Sequence, residues 1–181
     1  AKSVELIRAA KAKKLNLTCS VAIHNLLLTD DVLTDFDANY KMLPPLRIQK
    51  DCDALIEGLK DGTIDMVTSD HNPIDIEDKK IEFDYAKYGT IGLESAFGAL
   101  QTVFTTKKAI SLLTQGKSRF GIAESVINED VVANLSLFNP DKVYEFSKSH
   151  ILSKSKNSAF LGKTLKGETY GVIANNKIVL K

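Results

Sequence analysis

Apolar positions along the chain follow a helical period in some stretches and a strand-like run in others, and the two alternate. Val4, Ile7, Leu6 and Ala10 recur at helical spacing while Lys2, Arg8, Lys11 and Lys13 face away, with Ser3 placed to cap and Glu5 in the first turn. This predicts an amphipathic helix at the start of the chain. LNLTCSVAI, Leu15 to Ile23, is β-prone and bounded by polar residues, which predicts a strand ending just before His24. A short helix is expected after Thr29, and Pro44 and Pro45 in ANYKMLPPLR then impose an extended loop. Asp51 to Lys60 is again helical in pattern, with Leu55, Ile56 and Leu59 on one face and Gly62 beyond its end. TIDMVTS follows as a buried strand.

Helix, strand, loop, helix, strand is the order of a parallel α/β sheet or barrel, in which function collects on loops at the C-terminal ends of strands. His24 and Asp70 both fall at such ends. His71 to Ile91 is polar and irregular, with Pro73 and Gly89, and a loop of that length in a compact domain is usually functional. Helices resume near Leu93, carrying Phe97, Leu100 and Phe104, and again around Lys108 to Gln115. Past Gly121 the texture changes to short β-prone pieces, VVANLSLF, KVYEF, ETYGVIA and KIVL, separated by NPDK and ANNK turns. The fold expected is therefore α/β, with residues 1–121 forming barrel-like βα units and residues 122–181 a small β-rich segment. KSHILSKSKNSAFLGKTLKG, between those pieces, reads as a solvated basic loop, because its lysines lack interleaved aromatics.

Composition narrows the function classes. The 181 residues are 44% hydrophobic and 26% charged, enough for a real core, and the net charge of +1 gives no reason to expect a nucleic acid or an anionic membrane as partner. Cys19 and Cys52 lie in unrelated contexts, which argues against a zinc knuckle or a disulfide framework and fits a reducing cytoplasm. No apolar run approaches a membrane span, and no signal-peptide pattern opens the chain. The absence of an initiator Met before an immediate amphipathic helix suggests a piece of something longer.

Asp70 and His71 place a carboxylate beside an imidazole at a strand end, a pairing suited to metal ligation and proton transfer when other ligands converge. A capped or salt-bridged structural carboxylate is the other reading of Asp70. For His24 the residues alone favour a core histidine donating to a backbone carbonyl, and His71 reads similarly. Arg47 suits a surface or helix-start salt bridge, and Cys19 an inert thiol. Gly89 and Gly92 serve loop geometry.

Taken in order, TCSVAIHNLLLTDDVL, YKMLPPLR, DGTIDMVTSDHNP and YAKYGTIGLES, with ANLSLFNPDK and SKSKNSAFLGKTLKG after them, resemble the dihydroorotases of the amidohydrolase superfamily. The resemblance spans nearly the whole chain. It implies a zinc-dependent (β/α)₈ barrel that interconverts dihydroorotate and carbamoyl-aspartate in pyrimidine synthesis, with a small β-domain built from both chain ends. This chain would then begin after the sixth strand and hold strands seven and eight, leaving the family's HxH motif and other metal ligands upstream. Asp70 matches the last-strand aspartate that binds metal and carries the proton between attacking water and leaving nitrogen. Backbone near Gly89, together with His24 and His71, would lie toward substrate.

Departures from the family pattern fall where that family touches substrate. Leu43 stands where Asn usually precedes the two prolines, and Ile74 stands where a His usually meets the substrate carboxylate. An apolar side chain cannot pair with an anion, and an unpaired polar partner costs about 1–3 kcal/mol. His24 and Asn25 replace a His pair, and Lys87 replaces a proline. Two expectations follow: an enzyme segment inactive without the missing N-terminal half of the barrel, or a non-catalytic dihydroorotase-like protein that partners aspartate transcarbamoylase. A homo-oligomer is expected in either case, and an amidohydrolase with changed substrate is a third option.

Overall fold

The computed structural model describes residues 1–123 and 126–181. Helix α1, Lys2–Ala12, opens without a side-chain cap, so Ser3 lies inside the helix instead of capping it. Its inner stripe is narrower than the periodicity suggests: Val4 is buried, but Leu6 is 72% exposed. Strand β1 is Ser20–Ala22, much shorter than the run from Leu15 to Ile23. The reason is pairing, because its parallel partner β2, Met66–Thr68, offers a ladder only from Ser20↔Met66 to Ala22↔Thr68. α2, His24–Leu27, follows at once.

In place of the helix expected after Thr29 there are two single 3₁₀ turns, Asp30–Leu33 and Ala38–Tyr40. A parallel bridge between Thr29 and Arg47, with the Asp30 amide donating to the Arg47 carbonyl, holds this stretch against the returning chain. α3, Gln49–Lys60, buries Cys52 and Leu59 and ends before Gly62, whose φ of +81° suits a glycine after a helix. The loop from Ser69 to Ser95 is long and irregular, as expected. α4, Ala96–Val103, and α5, Thr106–Thr114, come next, with the Thr105 hydroxyl capping α5 by accepting from the Lys108 amide.

The last third is an antiparallel sheet in the order β3-β4-β5, with β3 Leu135–Glu145, β4 Thr164–Ala174 and β5 Lys177–Leu180. NPDK is not a reversal: it lies inside β3, where the pairing slips between Asn139↔Glu168 and Val143↔Lys166, so it bulges from a continuing strand. ANNK is a true hairpin turn, with Asn175 and Asn176 both at positive φ between Ala174 and Lys177.

One apolar core runs through both parts. Val21, Ile23, Leu59, Val67, Leu100 and Leu112 share it with Phe146, Phe160 and Leu165. Gly98 lets β3 and β4 close on α4, since a Cβ there would stand 2.6 Å from the Tyr144 hydroxyl. Among the described residues no helix is long and apolar enough to cross a membrane.

Candidate functional site

The β1/β2 ladder decides which side chains meet. Ala22 is level with Thr68, and the Ile23 amide continues the pairing by donating to the Thr68 carbonyl, so His24 and Asp70 arrive side by side at the C-terminal ends of neighbouring strands. His24 Nε2 stands 3.8 Å from Asp70 Oδ2. His24 is fully buried, and neither ring nitrogen has a hydrogen-bond partner. The expected bond to a backbone carbonyl is therefore not made, and the nearest charged group to the ring, at the first position of α2, is Asp70. Burial pushes the imidazole down to about 4, against the opposing pull of the Asp70 charge, so it is neutral at pH 7.

Asp70 is the exposed member of the pair, with 42% of its side chain accessible. It has φ +46°, a conformation that Asp tolerates better than most residues. The next residue is clamped. His71 Nδ1 accepts from the Gly92 and Leu93 amides at 3.3 and 3.2 Å, which fixes the ring proton on Nε2, 3.4 Å from the Ser153 hydroxyl. Ser153 in turn donates to Glu94 from both its hydroxyl and its amide. Burial raises the Glu94 carboxyl, but the Ser153 hydrogen bonds outweigh this and hold it below the ordinary range. His71 is thus engaged by protein at both nitrogens.

Gly89 does not offer a free backbone donor. Its amide donates to the Lys41 carbonyl at 3.0 Å and its carbonyl accepts from Asn157. Glycine is needed there because φ is +143° and a Cβ would stand 2.7 Å from Asn72. Leu43 is 64% exposed. Ile74 borders a hollow of about 410 Å³ with Pro73, Lys154 and Asn157, which Asp70 does not line. A second hollow, about 800 Å³, lies against β1 and includes Val21, Asn25, Pro45 and Arg47. Arg47 makes the helix-start pair expected of it, 3.7 Å from Asp51.

A metal test follows from the donors. A catalytic zinc site needs three protein ligands. The unpartnered His24 nitrogen and the exposed Asp70 carboxylate supply two donors at most. Among the described residues no group of three or more His, Cys, Asp or Glu could hold a metal ion. The described donors alone do not fit such an ion.

Two features escaped sequence reasoning. Lys79 and Lys41 are buried, and Lys79 Nζ donates to the carbonyls of Ala38, Lys41 and Lys87 at 2.7, 3.2 and 2.9 Å. Lys41 Nζ reaches the Phe83 and Asp84 carbonyls and lies over the Phe83 and Tyr88 rings. Secondly, the SKSKN stretch is not a solvated loop: Lys154 and Lys156 are exposed, while Ser153 and Ser155 are half-buried and Asn157 is buried. That alternation is a strand-like signal, visible in the sequence once serine is allowed an inward face.

Asp70 and His24 stand at the C-terminal ends of parallel strands joined through helices, the arrangement of an α/β fold. The structure superimposes on a D-hydantoinase with a TM-score of 0.86 at 22% identity, covering 100% of this chain and 43% of that one. It also matches the L-hydantoinase of Arthrobacter aurescens with a TM-score of 0.85 at 23% identity, over 99% of this chain and 43% of that one. The inactive dihydroorotase-like domain of the Chaetomium thermophilum CAD-like multifunctional protein matches at 0.68 and 22%, over 98% of this chain and 49% of that one. No family model matches the chain.

Sequence gives the narrower assignment. The chain is 41% identical to the dihydroorotase of Caldicellulosiruptor saccharolyticus and 39% identical to that of a Thermoanaerobacter species, in each case over 99% of this chain and 43% of the relative. Over nearly its whole length the chain is similar to dihydroorotases, and it spans less than half the length of the curated relatives it matches.

Proposed function

We propose that in the complete protein this segment supplies the last-strand carboxylate of a dihydroorotase-type cyclic amidohydrolase, and that the segment alone is inactive. The single observation that carries this is the pairing of Asp70 with His24 across the β1/β2 register at the C-terminal strand ends. An exposed carboxylate at that end can accept a proton from an attacking water and return it to the leaving amide nitrogen as the dihydroorotate ring opens to carbamoyl-aspartate, and the same transfers run backwards when the ring closes and water leaves. Zinc, which the family resemblance implies, would polarise the carbonyl when bound, and its ligand set must be completed by residues outside this segment. The hollow against β1 fits the same reading, since it is where the missing N-terminal half of a barrel would pack, strands β1 and β2 then being the seventh and eighth. Residues 122–181 would form the separate small β subdomain. The setting would be the cytoplasm.

The test is made on the full-length protein. Dihydroorotate turnover with bound zinc is expected, and Asp70→Asn should lower kcat by about 100-fold or more. Turnover unaffected by that substitution would refute the role of Asp70.

Leu43 and Ile74 favour a second reading. Both are apolar where the resemblance calls for groups that bond substrate, and Leu43 is exposed with nothing polar to offer. On that reading the protein is a non-catalytic structural partner of aspartate transcarbamoylase, retained for assembly. Full-length protein that binds no zinc, turns over no dihydroorotate and co-purifies with aspartate transcarbamoylase at micromolar concentration would select it. A homo-oligomer is compatible with both readings.

A further inference from the structure

Asp70 is a residue whose direction is set from elsewhere. Among the described residues its carboxylate makes no hydrogen bond, and its backbone stands at φ +46°. The loop that follows Asp70 is held by a segment more than eighty residues away. Ser153, Ser155 and Asn157 alternate inward with the exposed Lys154 and Lys156 between them, and each reaches the loop that Asp70 begins.

Ser153 holds His71. Its hydroxyl proton goes to Glu94, so its lone pair receives the His71 Nε2 proton, while Gly92 and Leu93 hold the other nitrogen. The ring adjacent to Asp70 is therefore fixed at both ends, and only one arrangement of protons satisfies all four groups. Ser155 donates to the Ile74 carbonyl at 2.7 Å. Asn157 closes the loop on itself: its amide nitrogen donates to the Gly89 carbonyl at 3.1 Å and the Asn72 carbonyl at 3.4 Å, and its oxygen accepts from the Ile74 amide at 3.2 Å. Its backbone carbonyl accepts from the Ile91 amide at 3.0 Å and the Thr90 hydroxyl at 3.2 Å. The two ends of the loop, 72–74 and 89–94, are thereby tied to one strap.

We propose that Ser153, Ser155 and Asn157 are positioning residues, a strap from the C-terminal part of the chain that fixes the loop after Asp70 and so the direction in which Asp70 presents its carboxylate. The functional half of this statement rests on Asp70 being the reacting carboxylate. The positional half does not. None of the three side chains is required to touch substrate, and each acts through the loop.

Amide hydrogen exchange on the full-length protein separates the two halves. Ser153→Ala should speed exchange at the Gly92 and Leu93 amides by about five- to tenfold, the loss of one hydrogen bond's worth of protection, while Leu59 in α3 is unchanged. Ser153→Thr, which keeps the hydroxyl, should restore protection, and Asn157→Ala should expose the Ile74 amide in the same way. In turnover of dihydroorotate, Ser153→Ala should lower kcat by a larger factor than it raises KM, with Ser153→Thr recovering kcat. Unchanged exchange at Gly92 and Leu93, an equal rise at Leu59, or no rescue by threonine would each overturn the strap. A wild-type protein without turnover would overturn the role given to Asp70, and the exchange pattern would still decide the strap.

Discussion

His24 and Lys79 show how differently two buried titratable side chains can be accommodated. His24 has no partner for either nitrogen, so as a neutral ring it carries an unsatisfied donor and acceptor into the core. Removing both polar atoms at similar volume should cost little, and His24→Leu is expected to leave the urea midpoint of this chain unchanged or to stabilise it by up to about 1 kcal/mol. A loss of more than about that amount would show that the ring makes a bond. Lys79 instead has three carbonyl acceptors, yet burial lowers it to about 8, assisted by the Lys41 charge and opposed by Asp37. The unfolded chain keeps this proton until about 10.5. Between those values the unfolded state binds the proton that the folded state has released, so the Lys79 contribution to stability rises with pH. Relative to Lys79→Met, the chain should gain on the order of 1–2 kcal/mol between about pH 8 and pH 9.5 in urea titrations. A difference that stays flat over that range refutes the shift.

At the scale of elements, the site depends on the close approach of the chain just past β2 and the stretch leading into α4. Gly92 packs against the Ser69 carbonyl so tightly that a Cβ would overlap it. Because the obstacle is backbone at the end of a strand, neither side can yield cheaply. Gly92→Ala should therefore destabilise the chain by at least about 2 kcal/mol in urea unfolding. It should also release the His71 clamp, since the Gly92 and Leu93 amides would move away from Nδ1. A substitution costing less than about 0.5 kcal/mol would mean that the approach is not maintained in solution.

For the whole molecule, two short parallel strands form a sheet whose outer edges find no partner among the described residues, and β5 is exposed along its length with Ile178, Val179 and Leu180 on the surface. Unpaired edges and exposed apolar strands promote association. Static light scattering of the isolated chain should show self-association at micromolar concentration, and a monodisperse monomer would refute this. Much of this architecture was legible in the chain. The helical stripes of α3, α4 and α5, the Asn-Asn hairpin, the long loop after Asp70 and the placement of His24 and Asp70 at strand ends all follow from local pattern, because periodicity and turn chemistry act over a few residues. What the pattern could not settle was pairing across the fold. Only the β1/β2 register shortens the first strand and brings His24 to Asp70. Only the returning chain supplies the carbonyls that bury Lys79, or the Glu94 and His71 that turn Ser153 inward. Local sequence determined which elements form and which residues stand at their ends. The tertiary structure decided which of those ends share a site, since hydrogen-bond partners forty to eighty residues apart leave no mark on local periodicity.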